Sequence, residues 1–229
     1  MEILYEDNHI IVVIKPQNIP SMPDESGDKD MLTMVKEYIK EKYNKPGNVF
    51  VGLVHRLDRP TGGIMVFAKT SKAASRLAEQ MKAGDFKKTY FAVCKGVFKE
   101  KSGTLVNYLK KNEKTNIVSV VPMTTTGSKK AELKYVVLEE HKGYSLVEVK
   151  LLSGRGHQIR VQLSHIGNPI VGDQKYGGEN MAKVALNLFA GELVINHPTK
   201  GDVMRFRAYP PEEKSAWNLF KMDKYIEIK

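Results

Sequence analysis

One cysteine in 229 residues leaves no disulfide framework and no thiolate-based zinc site. Cys94 reads instead as a small buried strand residue. Apolar runs are short, and none nears the ~18 residues needed to span a membrane. The opening Met1-Glu-Ile-Leu-Tyr-Glu-Asp-Asn8 is acidic and strand-like, unlike a signal or transit peptide. Several site motifs are also missing: Gly-x-Gly-x-x-Gly after a strand, the phosphate-loop lysine, His-Glu-x-x-His and the Gly-x-Ser-x-Gly elbow. His157 and His165 fall near one helix face with no carboxylate at ligand spacing, so no metal is expected. No internal repeat, low-complexity linker or strong domain boundary interrupts the chain, which reads as one domain over 1–229. These absences point to a reduced, cytoplasmic setting without a membrane partner.

Positive charge is what the chain has in excess. Its 36 Lys and Arg outnumber 26 Asp and Glu, giving a formal charge of +10. From Lys72 to Lys114 there are eleven basic residues against four acidic ones. A solvated face usually balances the two signs, whereas this bias attracts a polyanion. No basic amphipathic helix with exposed aromatics stands out, which argues against a membrane surface. With 41% hydrophobic and 27% charged residues the composition is that of a folded protein.

Hydrophobic periodicity predicts a strand, a turn and a second strand over 2–14, followed by a Pro- and Gly-rich loop over 17–30. A helix capped by Asp30 carries Leu32, Val35, Ile39 and Tyr43 on one face. The stretch 51–69 reads as a hairpin whose middle, Asp58-Arg-Pro-Thr-Gly-Gly63, is a tight turn. A second helix begins at Thr70 or Ser71, buries Ala74, Leu77, Ala78 and Met81, and stops at Gly84. Period-two segments at 87–98, 103–110, 116–121, 130–138 and 143–152, with short connections, predict an antiparallel meander. A third helix with Gly156 as N-cap buries Ile159, Leu163 and Ile166 and ends at Gly167. An apolar run near 184–196, a turn at 197–201, a strand at 202–208 and a capped helix from Pro210 with Trp217 and Phe220 complete the chain. The fold class is therefore α+β.

Three positions suit chemistry. Asp58 is a carboxylate between Arg56 and Arg59 on a turn, either a nucleophile or a turn former. Tyr90 lies beside Lys87 and Lys88, an arrangement that stacks a base near phosphates or simply packs a sheet. Arg160 lies in the first turns of a helix, as a site residue or a surface charge.

The stretch His55-Arg-Leu-Asp-Arg-Pro-Thr-Gly-Gly63 resembles the His-Arg-Leu-Asp-x-x-Thr-Ser-Gly signature of RluA-type pseudouridine synthases. Ile3–Pro20 is similar to the family's opening run, and Lys88-Thr-Tyr-Phe-Ala92 to its Lys-x-Tyr-x-Ala element. Gly154-Arg-Gly-His-Gln-Ile-Arg160, His165–Asp173 and His197-Pro198 follow in family order. Departures occur at Gly156 (usually Thr), Gln162 (often His), Gly62 (often Ser) and Asn187 (often His), which bear on the shape of an RNA channel. The resemblance implies a largely antiparallel mixed sheet flanked by a few helices around a central RNA-binding cleft. It also implies a catalytic domain standing alone, without the S4 module that many relatives carry at their N-terminus.

By resemblance, uridine in RNA is isomerised to pseudouridine, with no metal or cofactor and no obligate protein partner, by a monomer. Asp58 would attack C1′ or C6 of a flipped nucleotide, Arg160 would pair with Asp58, and Tyr90 would stack on the uracil. Arg56 would fill the space left by the nucleotide and Ile159 would wall the pocket. His55, Lys88, Arg155 and Gln158 join them as expected substrate contacts. Ribosomal large-subunit RNA and transfer RNA are both open as targets. Two other readings are an inactive RNA-binding or ribosome-assembly factor and a carboxylate hydrolase. The hydrolase wants a second acid within ~5–10 Å, and no motif offers one.

Overall fold

Unbroken β-branched runs make strands that can be covered on both faces, and the N-terminal third is built on two of them. A computed structural model describes residues 1–178, 184–212 and 215–228. It divides into two compact units, Met1–Lys88 with Ala190–Ala208, and Thr89–Phe189 with Tyr209–Lys229. Among the described residues no helix is long and apolar enough to cross a membrane.

In the first unit, β1 (Glu2–Glu6) pairs antiparallel with β2 (Ile10–Lys15). Helix α1 (Met31–Lys42) follows, with Asp30 as N-cap accepting from the Thr33 amide, as its position predicts. Strand β3 (Gly52–Leu53) has only two residues, and both it and β2 pair antiparallel with β4 (Gly62–Ala68). Every residue of β4 is buried, as are Ile10 to Val13 of β2. The expected tight hairpin is thus a longer excursion: residues 54–61 leave the sheet and turn back only at Asp58–Thr61.

Helix α2 (Ser71–Ala83) is capped by Thr70 and ends at Gly84 in the left-handed conformation (φ 82°). Its buried residues are Ala73 and Leu77, whereas Ala78 and Met81 are exposed. The expected face is displaced because Arg76 and Gln80 turn inward. Arg76 donates to Pro198 O (2.8 Å), and Gln80 donates to Asn196 O (2.8 Å) and accepts from the Asn196 amide (2.8 Å). Asn196 ends β10 (Leu188–Asn196), which pairs antiparallel with β11 (Val203–Arg207) and lies beside β4. Gly63 allows that neighbour to approach. Its φ is 131°, and a Cβ there would lie 2.5 Å from the Ala190 backbone.

The second unit is an antiparallel sheet of β5 (Lys87–Lys95), β6 (Ser102–Asn112), β7 (Ile117–Val121), β8 (Lys129–His141) and β9 (Tyr144–Leu151). Its order, β5-β9-β8-β6-β7, corrects the meander expectation. Two hairpins, β6-β7 and β8-β9, do form, but the 13-residue β8 returns along the other edge of β6, and β5 pairs with β9. Along β8, Ala131, Leu133 and Tyr135 are buried while Lys130, Lys134 and Val136 are exposed, so one face meets solvent. Helix α3 (Gln158–His165) packs on β6 and β7, where Val161 joins Leu109, Val118 and Ala131.

His157, not Gly156, is the N-cap of α3, in a left-handed conformation (φ 53°) and without a side-chain capping bond. Gly167 follows the helix at φ 87°, as expected, while Ile166 is exposed. Of the expected final helix, residues 213 and 214 lie outside the described set, and two 3-10 turns, Ala216–Leu219 and Met222–Lys224, stand in its place. Trp217, Phe220, Met222 and Ile226 are buried at a spacing no regular helix face provides. Cys94 is buried within β5, and burial pushes its thiol up.

Candidate active site

The half-buried Asp58 sits on a segment fixed from beneath by side chains distant in sequence. From Val54 to Thr61 the backbone has left the sheet, so its polar groups need other partners. Ser21 supplies two of them, accepting from the Leu57 amide (3.1 Å) and donating to Leu57 O (2.7 Å). Gln17 donates to Pro60 O (3.3 Å). The Thr61 amide donates to Asp58 O (2.9 Å), closing the turn. Lys15, at 0% exposure, donates to Pro16 O (3.0 Å), Arg59 O (3.0 Å) and Thr61 O (2.8 Å). Burial pushes the Lys15 amine down to about 7, against the pull of the Asp58 carboxylate and with Arg59 adding to the fall.

The arginines flanking Asp58 differ. Arg59 is exposed and clamps the 24–28 loop, bonding Asp28, Ser26 (2.9 Å) and Asp24 (3.7 Å). Arg56 is exposed, with its Nη1 3.7 Å from Met22 Sδ.

His55, expected among the substrate contacts, is a core residue. Its Nε2 accepts from the Val66 amide (3.1 Å), which leaves the ring proton on Nδ1, and the ring packs 5.0 Å from Phe86. Burial, with a further push from Lys88, drives its pKa well below the usual imidazole range, so it is neutral. His55 Nδ1 and Thr61 Oγ1 are buried polar atoms without hydrogen-bond partners in this unit. Lys88 is half-buried.

In the second unit, Arg160, Ile159 and Gln158 share α3, and all three are buried. Arg160 is held along one edge by Asp173, through Nε to Oδ2 (2.8 Å) and Nη2 to Oδ1 (2.7 Å). Asp173, at 0% exposure, also accepts from the amides of Lys175 and Tyr176 (both 3.0 Å), which fixes its rotamer. The guanidinium lies 5.1 Å over the Tyr176 ring. The Tyr176 hydroxyl accepts from the Val118 amide (2.9 Å) and shares a hydrogen bond with His157 Nδ1 (2.7 Å).

Gln158 is a brace. It accepts from Ser153 Oγ (2.9 Å) and the Arg155 amide (3.0 Å) and donates to Glu132 O (3.0 Å). Arg155 is exposed and donates through Nε to Lys130 O (3.0 Å). Tyr90, at 5% exposure, lies on β5 opposite Val149. Sequence reasoning missed Lys15 and Asp173 as site supports. Both stand inside quoted motifs, yet their partners lie 44 to 46 and 13 residues away.

Asp58 is thus a carboxylate on a backbone that cannot easily move, and Arg160 a cation of fixed orientation. The RNA pseudouridylate synthase family model matches residues 9–165. Ribosomal large subunit pseudouridine synthase D of Haemophilus influenzae is 32% identical over 99% of this chain and 72% of the relative. The synthase D of Pseudomonas aeruginosa is 34% identical over 93% of this chain and 69% of the relative. The human RNA pseudouridylate synthase domain containing 4 shares the fold, with a TM-score of 0.77 and 22% identity over 92% of this chain and 89% of that one. The chain belongs to the RNA pseudouridylate synthase family, in its RluA-type branch. Its activity is that of an RNA pseudouridine synthase, an isomerase.

Proposed function

We propose that this enzyme isomerises uridine to pseudouridine in ribosomal large-subunit RNA, with Asp58 as the nucleophile and residues 1–229 acting as one catalytic domain. The observation that carries the nucleophile assignment is the turn itself. A half-buried carboxylate is set on a backbone held by Lys15, Gln17 and Ser21, which suits attack on a substrate atom at a defined position. The choice of RNA is supported by the relatives named as large-subunit ribosomal enzymes.

A uracil must leave its stack before a side chain can reach it. That costs a few kcal/mol, offset by phosphate contacts and aromatic stacking. Asp58 then attacks C1′ or C6 of the flipped nucleotide, the N-glycosidic bond breaks, the uracil turns so that C5 is rejoined to C1′, and the bond to Asp58 breaks again. Once the new bond has formed, the C5 proton is released to solvent and N1 takes one up, so that the product is an isomer of uridine. Tyr90 stacks on the uracil and Arg160 supplies positive charge to the reaction. The exposed Arg56 occupies the space the nucleotide vacates, and Ile159 walls the pocket. The excess of lysines from 72 to 114 meets phosphates.

Incubating the enzyme with unmodified transcripts of large-subunit ribosomal RNA and of transfer RNA, then mapping pseudouridine in each, tests the target. Modification of the ribosomal transcript alone is expected. Modification of transfer RNA alone would overturn the assignment. Mapping the uridines that lose modification when the gene is deleted then identifies the sites.

A further inference from the structure

The loop that runs into α1 carries charge of the wrong sign for an enzyme that takes a polyanion. Its stretch 22–29 holds Asp24, Glu25 and Asp28 against Lys29 alone, in a chain of formal charge +10. Both ends of the stretch are pinned. The Met31 amide donates to Pro20 O (2.9 Å) and closes the neck, Ser21 is buried and donates to Leu57 O, and the buried Asp30 caps α1. Between these anchors every residue from Met22 to Lys29 is exposed. A compact surface loop whose ends meet is an Ω-loop, a form that frequently carries function.

This strap reaches both arginines that flank Asp58. Met22 Sδ lies 3.7 Å from Arg56 Nη1. Arg59 donates to Asp28 and to Ser26 Oγ (2.9 Å), and its Nη1 lies 3.7 Å from Asp24 Oδ2. The bond from Arg59 holds the Asp28 carboxyl below its usual range, and bonds from Ser26 do the same for Asp24, so both are ionised at neutral pH. The cation directly after Asp58 is thus occupied by two carboxylates of the strap.

Exposure decides how firmly. The side chains of Arg59, Asp24 and Asp28 are 40%, 42% and 56% exposed. Ion pairs this open to water hold weakly. Arginine and phosphate pair through two charge-assisted bonds, and the release of counterions from RNA adds to that exchange.

We propose that Arg59 is a substrate-binding residue, and that the 22–29 strap covers it in the RNA-free enzyme until an RNA phosphate replaces Asp24 and Asp28 on its guanidinium. The inference rests on RNA being bound at the Asp58 turn. A stray polyanion meets a covered cation there, whereas an RNA that places a phosphate beside the flipped uridine uncovers it.

The test measures the affinity of the full-length protein for an unmodified large-subunit ribosomal RNA transcript, and its salt dependence. The variants are Asp24→Asn with Asp28→Asn, Arg59→Gln, all three changes together, Glu25→Gln, and Asp58→Asn. The strap substitutions fall on exposed side chains and leave the neck and the α1 cap in place. Removing both carboxylates is expected to tighten binding about two- to tenfold, the worth of one or two exposed ion pairs. Arg59→Gln is expected to weaken binding and to reduce the slope of log affinity against log salt by about one. In the Arg59→Gln background the two Asp→Asn changes should then alter affinity by less than about twofold, because the pairs share one partner. Glu25→Gln removes a strap charge outside this cluster, and screening should hold its effect within about twofold.

Unchanged or weaker binding on removing both carboxylates overturns the cover. So does an equal gain with and without Arg59, or an equal gain from Glu25→Gln, either of which marks general repulsion. Wild-type affinity and slope in Arg59→Gln overturn the assignment of Arg59. Pseudouridine formed by Asp58→Asn removes the nucleophile and leaves the strap to be decided by the affinities, which need no turnover.

Discussion

Replacing Asp173 with alanine should unfold the second unit well below the wild-type temperature. Arg160 is 4% exposed and Asp173 0%, and they share two short bonds of 2.8 and 2.7 Å. Removing the carboxylate leaves a buried guanidinium uncompensated on that edge, at a cost of about 3–5 kcal/mol. The amides of Lys175 and Tyr176 lose their acceptor as well, which keeps the cost toward the upper end of that range. For a chain of this size 1 kcal/mol corresponds to about 2–4 °C, so a loss of roughly 8–20 °C is expected. Asp173→Asn retains an acceptor for the two amides but not the charge, and should fall between alanine and wild type. A paired apolar replacement, Arg160→Met with Asp173→Leu, should cost less than Asp173→Ala alone, because no charge is stranded. Differential scanning calorimetry of the four proteins provides the comparison. A Tm for Asp173→Ala within about 2 °C of wild type would refute the reasoning.

Three other predictions concern separate parts of the molecule. Gly63→Ala places a Cβ 2.5 Å from the Ala190 backbone at φ 131°, and overpacking with backbone strain should cost roughly 2–5 kcal/mol, read from the urea midpoint. Glu6 and Asp7 are both held down to about 2, against burial, which pushes each up. Lys42, Lys69, Tyr43 and Tyr38 bond Glu6, while the amides of Ile10 and His9, with His197, bond Asp7. Because the folded values lie below the ordinary 4.5 and 3.8, this stability is fully present above about pH 4.5 and is lost as pH falls toward 2. The urea midpoint should drop between pH 6 and pH 3, and drop less in Glu6→Gln. Charge reversal at Lys87 and Lys110 together should weaken RNA binding and reduce the slope of log affinity against log salt by about one per lost phosphate contact. An unchanged slope would remove those two lysines from the interface.

Local features of this fold were legible because they depend on near neighbours. Asp30 and Thr70 cap their helices through amides three residues on, and Gly84 ends α2 with a positive φ, as their positions in the sequence imply. Pairings set by distant segments were not legible. The buried face of α2 depends on Arg76 and Gln80 reaching Pro198 and Asn196, which α2's own periodicity cannot reveal. The order of the second sheet depends on β8 choosing the free edge of β6, and short connections do not encode that choice.

The candidate site divides in the same way. Asp58, Tyr90 and Arg160 could be singled out from residue type and motif. Their supports could not, because Lys15 looks like an ordinary charged strand end until the carbonyls of Arg59 and Thr61 are seen over it. His55 and Gln158 stand in motif positions, yet each bonds within the fold: His55 to the Val66 amide, and Gln158 to Glu132 O, the Arg155 amide and the Ser153 hydroxyl. Motif membership marks a residue as needed without saying whether it touches substrate or holds the residues that do.

The nucleophile assignment is tested most directly by measuring pseudouridine formed by Asp58→Asn on an unmodified large-subunit ribosomal RNA transcript, with RNA affinity measured on the same preparation. The change is isosteric and leaves the turn held by Lys15, Ser21 and Gln17. The account predicts wild-type affinity and no pseudouridine. Pseudouridine formed at the wild-type rate by Asp58→Asn would contradict it.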